Sequence, residues 1–177
     1  MEKKDLLPER EYLAWNDEGV AERMRTMKLL VEFNNTGDKR ILEEVFRRKM
    51  DDVTIFAPLH CNYGGEYVKF GKRVFINFNC TFQPAGGVEI GDDVFIGSDV
   101  RFYTTNHPLD PEERVAGKAT VRPIKVGSKV WIGGGTTVLP GVEIGDGCTI
   151  GVGSVVTRSI PPRSVAVGNP CRVIKTV

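Results

Sequence analysis

Residues 124–156 read IKVGSKVWIGGGTTVLPGVEIGDGCTIGVGSVV. Aliphatic residues recur there every six positions, at Val126, Ile132, Val138, Ile144, Ile150 and Val156. The residue after each is Gly127, Gly133 and Leu139, then Gly145, Gly151 and Thr157. Glycine drops out at every third hexad, so the full repeat is 18 residues long. Upstream the same frame picks out Phe70, Ile76 and Phe82, then Ile90, Ile96 and Phe102, followed by Gly71, Asn77, Gln83, Gly91, Gly97 and Tyr103. Hexads nested in an 18-residue unit describe a coil with three short sides and three corners, the pattern of a parallel β-helix solenoid. The inward Ile, Val and Phe stack coil on coil and supply the core. Gly91-Asp92-Asp93, Gly127-Ser128 and Gly145-Asp146-Gly147 suit the corners because such residues accept positive φ, and Asn77 is read as filling a glycine corner on the same ground.

Outward from this frame the texture changes. Residues 1–52 are rich in Glu, Lys and Arg and carry apolar residues at helical spacing (Met24, Met27, Leu30; then Ile41, Leu42, Val45, Phe46). Helices are expected over about 17–33 and 38–49, with Asp17 and Asp38 as N-caps. Residues 53–177 form the solenoid, with an irregular start over 55–65 and a small bulge at Gly86-Gly87. The hexads stop after Thr105 and resume at Ile124, which leaves residues 106–123 as an inserted loop. That loop holds Pro108, Pro111, Pro123 and five charged residues between Asp110 and Lys118, so it stays out of the coil core. A long loop in a strict repeat is more often functional than accidental. The tail from Pro161 is expected to add short closing strands.

The chain has 177 residues and a net charge of +1, so no global field points to nucleic acid or an anionic membrane as partner. Cys61, Cys80, Cys148 and Cys171 lack CxxC spacing and read as reduced, structural thiols. The charged N-terminus has no apolar signal core and no run reaches bilayer length, so a cytoplasmic protein is expected.

Five motifs in order resemble the hexapeptide-repeat acyltransferases: NFNC at 77–80, TTNHPLD at 104–110, VWIGGG at 130–135, PGVEIGD at 140–146, and GVGSVVT followed by GNPCRVI. Within that family the chain is similar to the maltose and galactoside O-acetyltransferases and to the nodulation-factor acetyltransferases. The N-terminal YLAWNDEG and EFN motifs resemble the group's helical start. The resemblance implies a mainly β fold, a left-handed parallel β-helix with an N-terminal α-helical segment and short C-terminal strands. It also implies acetyl-CoA as co-substrate and a homotrimer with active sites between subunits.

His107 stands where the repeat breaks, stiffened by Pro108. An alcohol is a poor nucleophile at neutral pH, and a histidine can take its proton and later pass it to a departing thiolate. By resemblance His107 is the general base, Gly134 N–H the oxyanion donor, and Asn77, Asp17 and Arg23 the acceptor-binding residues. Trp131, Gly134, Gly135, Gly153 and Ser154 are expected along the pantetheine arm, and Arg158, Arg172 and Lys175 near the adenosine phosphates. His60 is read as structural. A γ-class carbonic anhydrase would need three histidines for zinc, and this chain has two, so no metal is expected.

The expected activity is transfer of acetyl from acetyl-CoA to a hydroxyl of a sugar or related compound, directly, through a ternary complex. One departure concerns the acceptor. Galactoside- and maltose-type enzymes carry an acidic residue seven or eight positions after the asparagine matching Asn77, and here those positions are Pro84 and Ala85. The sugar preference is therefore not inherited. A related acyltransferase acting on serine, an amino sugar or an antibiotic is the alternative, and a non-catalytic solenoid scaffold is the alternative from another class.

Overall fold

A computed structural model describes residues 6–13 and 17–177. Its body is a parallel β-solenoid built from three walls. The first coil runs β2 (Val53–Ile55), β3 (Leu59–Cys61) and β4 (Val68–Phe70), and the second β5 (Val74–Ile76), β6 (Cys80–Gln83) and β7 (Val88–Ile90). The third comprises β8 (Phe95–Ile96), β9 (Arg101–Tyr103) and β12 (Ile124–Val126), and the fourth β13 (Trp131–Ile132), β14 (Thr137–Val138) and β15 (Glu143–Ile144). The last adds β16 (Thr149–Ile150) and β17 (Val155–Val156), then β18 (Ser164–Val167) with β19 (Arg172–Thr176) antiparallel on it. Wall 1 is the sheet β19-β18-β16-β13-β8-β5-β2, wall 2 is β17-β14-β9-β6-β3, and wall 3 is β15-β12-β7-β4.

Every aliphatic and aromatic hexad residue identified from the sequence is buried, from Phe70 through Val156. A second inward column stands two residues earlier in each hexad: Val68, Val74, Cys80, Val88, Val94, Val100, Ile124, Val130, Thr136, Val142, Cys148 and Ser154. Corresponding residues of successive coils are in register, so Phe82 stacks on Phe102 at 4.8 Å between ring centroids. Each fully buried Val, Ile or Phe contributes roughly 1.5–3 kcal/mol, and the stack is continuous along the prism.

The corners bear out one part of the expectation and correct another. Asp93 (57°) and Gly147 (69°) have positive φ, as do Asn79 (62°), Asp99 (62°) and Lys129 (58°), each two positions after the corner residue that follows the aliphatic one. Asn77 is not left-handed; its Oδ1 accepts a hydrogen bond from Phe78 N–H at 2.9 Å. The recurrent glycine answers a different need, close approach of coils. A Cβ on Gly91 would come within 2.7 Å of the Gly127 carbonyl carbon.

Helix α1 spans Asp17–Thr36 and α2 Lys39–Phe46, so the first runs three residues longer and the second ends earlier than expected. The α2 N-cap is Asp38, whose carboxylate accepts from Arg40 N–H, and the helix stops at Arg47 in the left-handed region. Buried Leu30, Phe33, Ile41, Leu42, Val45 and Phe46 join the solenoid core. Asn34 locks α1 to β3: its side chain donates to Leu59 C=O (2.9 Å) and accepts from Leu59 N–H (2.8 Å). Ala14, Trp15 and Asn16 of the YLAWNDEG motif lie outside the described residues.

The inserted loop is an ordered hairpin. Strand β10 (Thr105–Asn106) pairs with β11 (Lys118–Val121), and β1 (Arg10–Leu13) pairs with the other edge of β11. Between them α3 (Pro111–Val115) is capped by Asp110, which accepts from Glu112 and Glu113 N–H.

Candidate active site

His107 follows β10 directly, at the corner between walls 2 and 3, and is exposed. It lines a cleft of about 460 Å³ with Arg23 from α1, Tyr12 from β1, Asn62 and Tyr63 from the turn after β3, Gln83 from the end of β6, and Arg114 from α3. Arg114 Nη1 donates to Pro108 C=O at 3.0 Å, fastening the segment just past the histidine. The Arg23 guanidinium lies 5.7 Å from the centre of the Tyr63 ring, a cation–π contact, and the Tyr12 and Tyr63 hydroxyls are hydrogen-bonded to one another. Burial, then the Tyr63 hydroxyl, hold the Tyr12 phenol well above its ordinary range. The structure therefore brings two expected residues, His107 and Arg23, to one cleft.

Asn62 is the residue the sequence reading passed over. Its Oδ1 is buried and has no hydrogen-bond partner among the described residues. A buried acceptor left unpaired is costly, and this one borders the His107 cleft, where a substrate hydroxyl can donate to it. No local pattern marks it, because its significance arises only from the packing of β3 against α1. An apolar groove walled by Met27, Leu30, Val31 and Leu59 adjoins the cleft and shares Asn62 and Gln83 with it. Pro84 and Ala85 are both buried, and the Ala85 carbonyl accepts from Arg10 Nη2 at 2.9 Å.

Asn77, Gly134, Gly135 and Gly153 all stand at another corner, between walls 1 and 2. Gly134 is half-buried; its carbonyl accepts from Gly153 N–H at 2.9 Å, and its own N–H has no partner among the described residues. Gly135 and Gly153 both have positive φ. Trp131 is 56 % exposed on the outer face of wall 1, in register with Phe95. Within one chain, wall 2 separates this corner from the His107 hairpin. Asn77 and Gly134 accordingly do not line the histidine's cleft.

Ser154 departs from expectation. It belongs to the second inward column and is fully buried. Its hydroxyl donates to Gly151 C=O (2.6 Å) and accepts from Gly168 N–H (3.1 Å), so it closes a corner rather than facing a coenzyme. Arg172 and Lys175 are exposed on β19 beside wall 1, whereas Arg158 is exposed at the corner between walls 2 and 3. Asp17 is exposed in the first turn of α1 and does not line the His107 cleft.

His60 is exposed, with Nε2 3.1 Å from Asn79 Oδ1. The four cysteines are free and buried. Burial pushes the Cys61 thiol up to about 12 and the Cys80 thiol up to about 11, which leaves them protonated and unreactive. Among the described residues no three His, Cys, Asp or Glu side chains cluster to hold a metal ion, and no helix is long and apolar enough to cross a membrane.

Residues 123–158 match the bacterial transferase hexapeptide family (six repeats). A Staphylococcus aureus (strain MRSA252) protein named as an acetyltransferase is 44% identical over 183 residues, covering 99% of this chain and 92% of the relative. The crystal structure of a maltose O-acetyltransferase from Clostridium difficile 630 superimposes with a TM-score of 0.90 at 40% identity, covering 99% of this chain and 96% of the other. A galactoside acetyltransferase in complex with coenzyme A superimposes with a TM-score of 0.88 at 34% identity, over 94% and 86% of the two chains. Coil, hairpin and corner glycines thus belong together, and the chain is a member of the hexapeptide-repeat acetyltransferases, in the group that includes the maltose and galactoside O-acetyltransferases.

Proposed function

We propose that this protein transfers the acetyl group of acetyl-CoA to a hydroxyl of a saccharide or related small molecule, with His107 as general base. The observation that carries the reading is the cleft itself. A histidine on a hairpin fastened at both ends faces hydrogen-bonding side chains suited to a polyhydroxyl compound, including the unpaired Asn62 Oδ1. His107 takes the proton of the acceptor hydroxyl as its oxygen attacks the thioester carbonyl. The C–S bond then breaks, and the same proton passes to the leaving thiolate, giving the acetyl ester and free CoA. The Gly134 N–H is the donor suited to negative charge on the carbonyl oxygen.

The remaining parts fit the co-substrate, the glycines from the other corner, Trp131, Arg172 and Lys175 from the wall 1 sheet, and Arg158 from the His107 corner. Gly134, Gly135 and Gly153 expose backbone groups of the kind that bind pantetheine amides, Trp131 offers an aromatic surface, and Arg158, Arg172 and Lys175 are exposed cations for phosphates. Ser154 is left out because its hydroxyl is spent internally.

Since one chain holds these groups at separate corners, a complete site forms when the hairpin corner of one copy meets the glycine corner of the next. Three copies close such an arrangement. The wall faces support it. Wall 3 presents the solvated row Lys69, Glu89, Lys125 and Glu143, whereas wall 1 exposes Phe95 (57%) and Trp131 (56%), an apolar face suited to a neighbouring copy.

The test is release of free thiol from acetyl-CoA with a panel of glucosides, galactosides, maltose, serine and chloramphenicol. Wild type is expected to turn over a sugar, and His107→Ala to lose kcat by about 100-fold or more. Turnover of none of them, or a retained rate in His107→Ala, rejects the proposal.

A further inference from the structure

Arg122 follows β11 and forms the root of the His107 hairpin. Its side chain is only 9% exposed, yet it carries a full charge. Nε donates to Glu9 Oε2 at 2.9 Å, and Nη1 donates to the Leu7 carbonyl at 3.0 Å. Its backbone N–H donates to Thr104 C=O at 2.9 Å, so the chain leaving the hairpin is bonded to the chain entering it. Thr104, fully buried, donates in turn to Gln83 C=O (2.6 Å) and accepts from Gly86 N–H (2.8 Å).

The N-terminal segment is held at further points by the same region. Leu7 N–H donates to Gly141 C=O at 2.7 Å, and Arg10 Nη2 donates to Ala85 C=O at 2.9 Å. From there β1 runs along β11 in the register Arg10↔Val121 to Leu13↔Lys118, and the opposite edge of β11 holds Thr105 and Asn106, the two residues before His107. Without β1 the hairpin would be an isolated two-stranded ribbon, which is marginally stable in water.

We propose that Arg122 and Glu9 are positioning residues: their ion pair clamps the N-terminal segment across the hairpin and so holds His107 in working geometry. The proposal rests on the acetyltransferase reading above. A base displaced by about 1 Å can lose as much as 100-fold in rate. Neither Glu9 nor Arg122 lines the His107 cleft, so loss of the clamp acts on turnover more than on binding.

The experiment measures kcat and both KM values with amide hydrogen exchange for wild type, Glu9→Gln, Arg122→Met, Arg122→Lys and Glu113→Gln. Glu113 pairs with Lys118 at 2.8 Å on the exposed side of the same hairpin and serves as the control. Glu9→Gln and Arg122→Met are expected to lower kcat by about 10-fold or more, leave the KM for acetyl-CoA unchanged, and speed exchange over residues 105–121. Arg122→Lys should recover part of the loss, and Glu113→Gln should stay within about twofold of wild type.

Wild-type kcat in Glu9→Gln, or exchange unchanged over 105–121, overturns the proposal. If Arg122→Met fails to fold, Glu9→Gln and Arg122→Lys decide it. A wild-type protein that acetylates nothing rejects the functional reading instead, and the exchange pattern still confirms or refutes the clamp.

Discussion

Asn62 shows how a single side chain acquires a role through packing alone. Its carbonyl oxygen is buried beside the His107 cleft without a donor, and a bound hydroxyl would supply one. Asn62→Leu is therefore expected to raise the acceptor KM by about 10-fold while leaving the KM for acetyl-CoA unchanged, measured by initial rates at varied acceptor. The cysteines act in the opposite sense, through burial without function. In the folded chain burial disfavours the thiolate and pushes Cys61 up to about 12 and Cys80 up to about 11, from 9.0 for a free thiol. Unfolded thiols lose protons from about pH 9, so in that range the unfolded state binds fewer protons than the fold. Their stabilisation is complete below about pH 9 and is lost as pH rises toward 11–12. Denaturation midpoints between pH 8 and 10.5 should fall with pH, and fall less steeply in Cys61→Ala. His107 was legible because the repeat breaks there, whereas Asn62 was not, because nothing in LHCNYGG records which atoms go unpaired.

Each solenoid strand is too short to stand alone, and stability lies in the fit between coils. The recurrent glycine is the point of closest approach. Gly91→Ala would bring a methyl group to 2.7 Å from the next coil's backbone, which cannot retreat without shifting its own ladder. A loss of roughly 1–3 kcal/mol is expected in equilibrium unfolding, with kcat preserved at low temperature because that corner is remote from His107. The hexad frame was readable because inward residues must recur with the coil, and that physical requirement is periodic. The length of α1, the β10–β11 hairpin and its pairing with β1 obey no period. They follow from which edges find partners in space, and the β1–β11 pairing reaches across more than 100 residues of sequence, as do Arg122 and Glu9, 113 positions apart.

For the whole molecule the decisive fact is that His107 and the glycine corner stand on either side of wall 2. Mixing His107→Ala with Asn77→Ala protein, each expected to be inactive alone, is expected after dissociation and reassembly to restore part of the activity, since some sites in mixed assemblies would combine two intact halves. No recovery would reject a site shared between copies. Light scattering should give three times the 19.6 kDa chain mass. The sequence by itself determined the solenoid and its three-sided section, because a stacked core imposes an 18-residue rhythm, and it singled out His107 as the proposed base, because an insertion interrupts that rhythm there. Only the tertiary structure decided that Ser154 faces inward, that Asn62 lacks a partner, and that the N-terminal strand braces the hairpin. Those depend on which groups desolvate together in three dimensions, and neighbours along the chain carry no record of that.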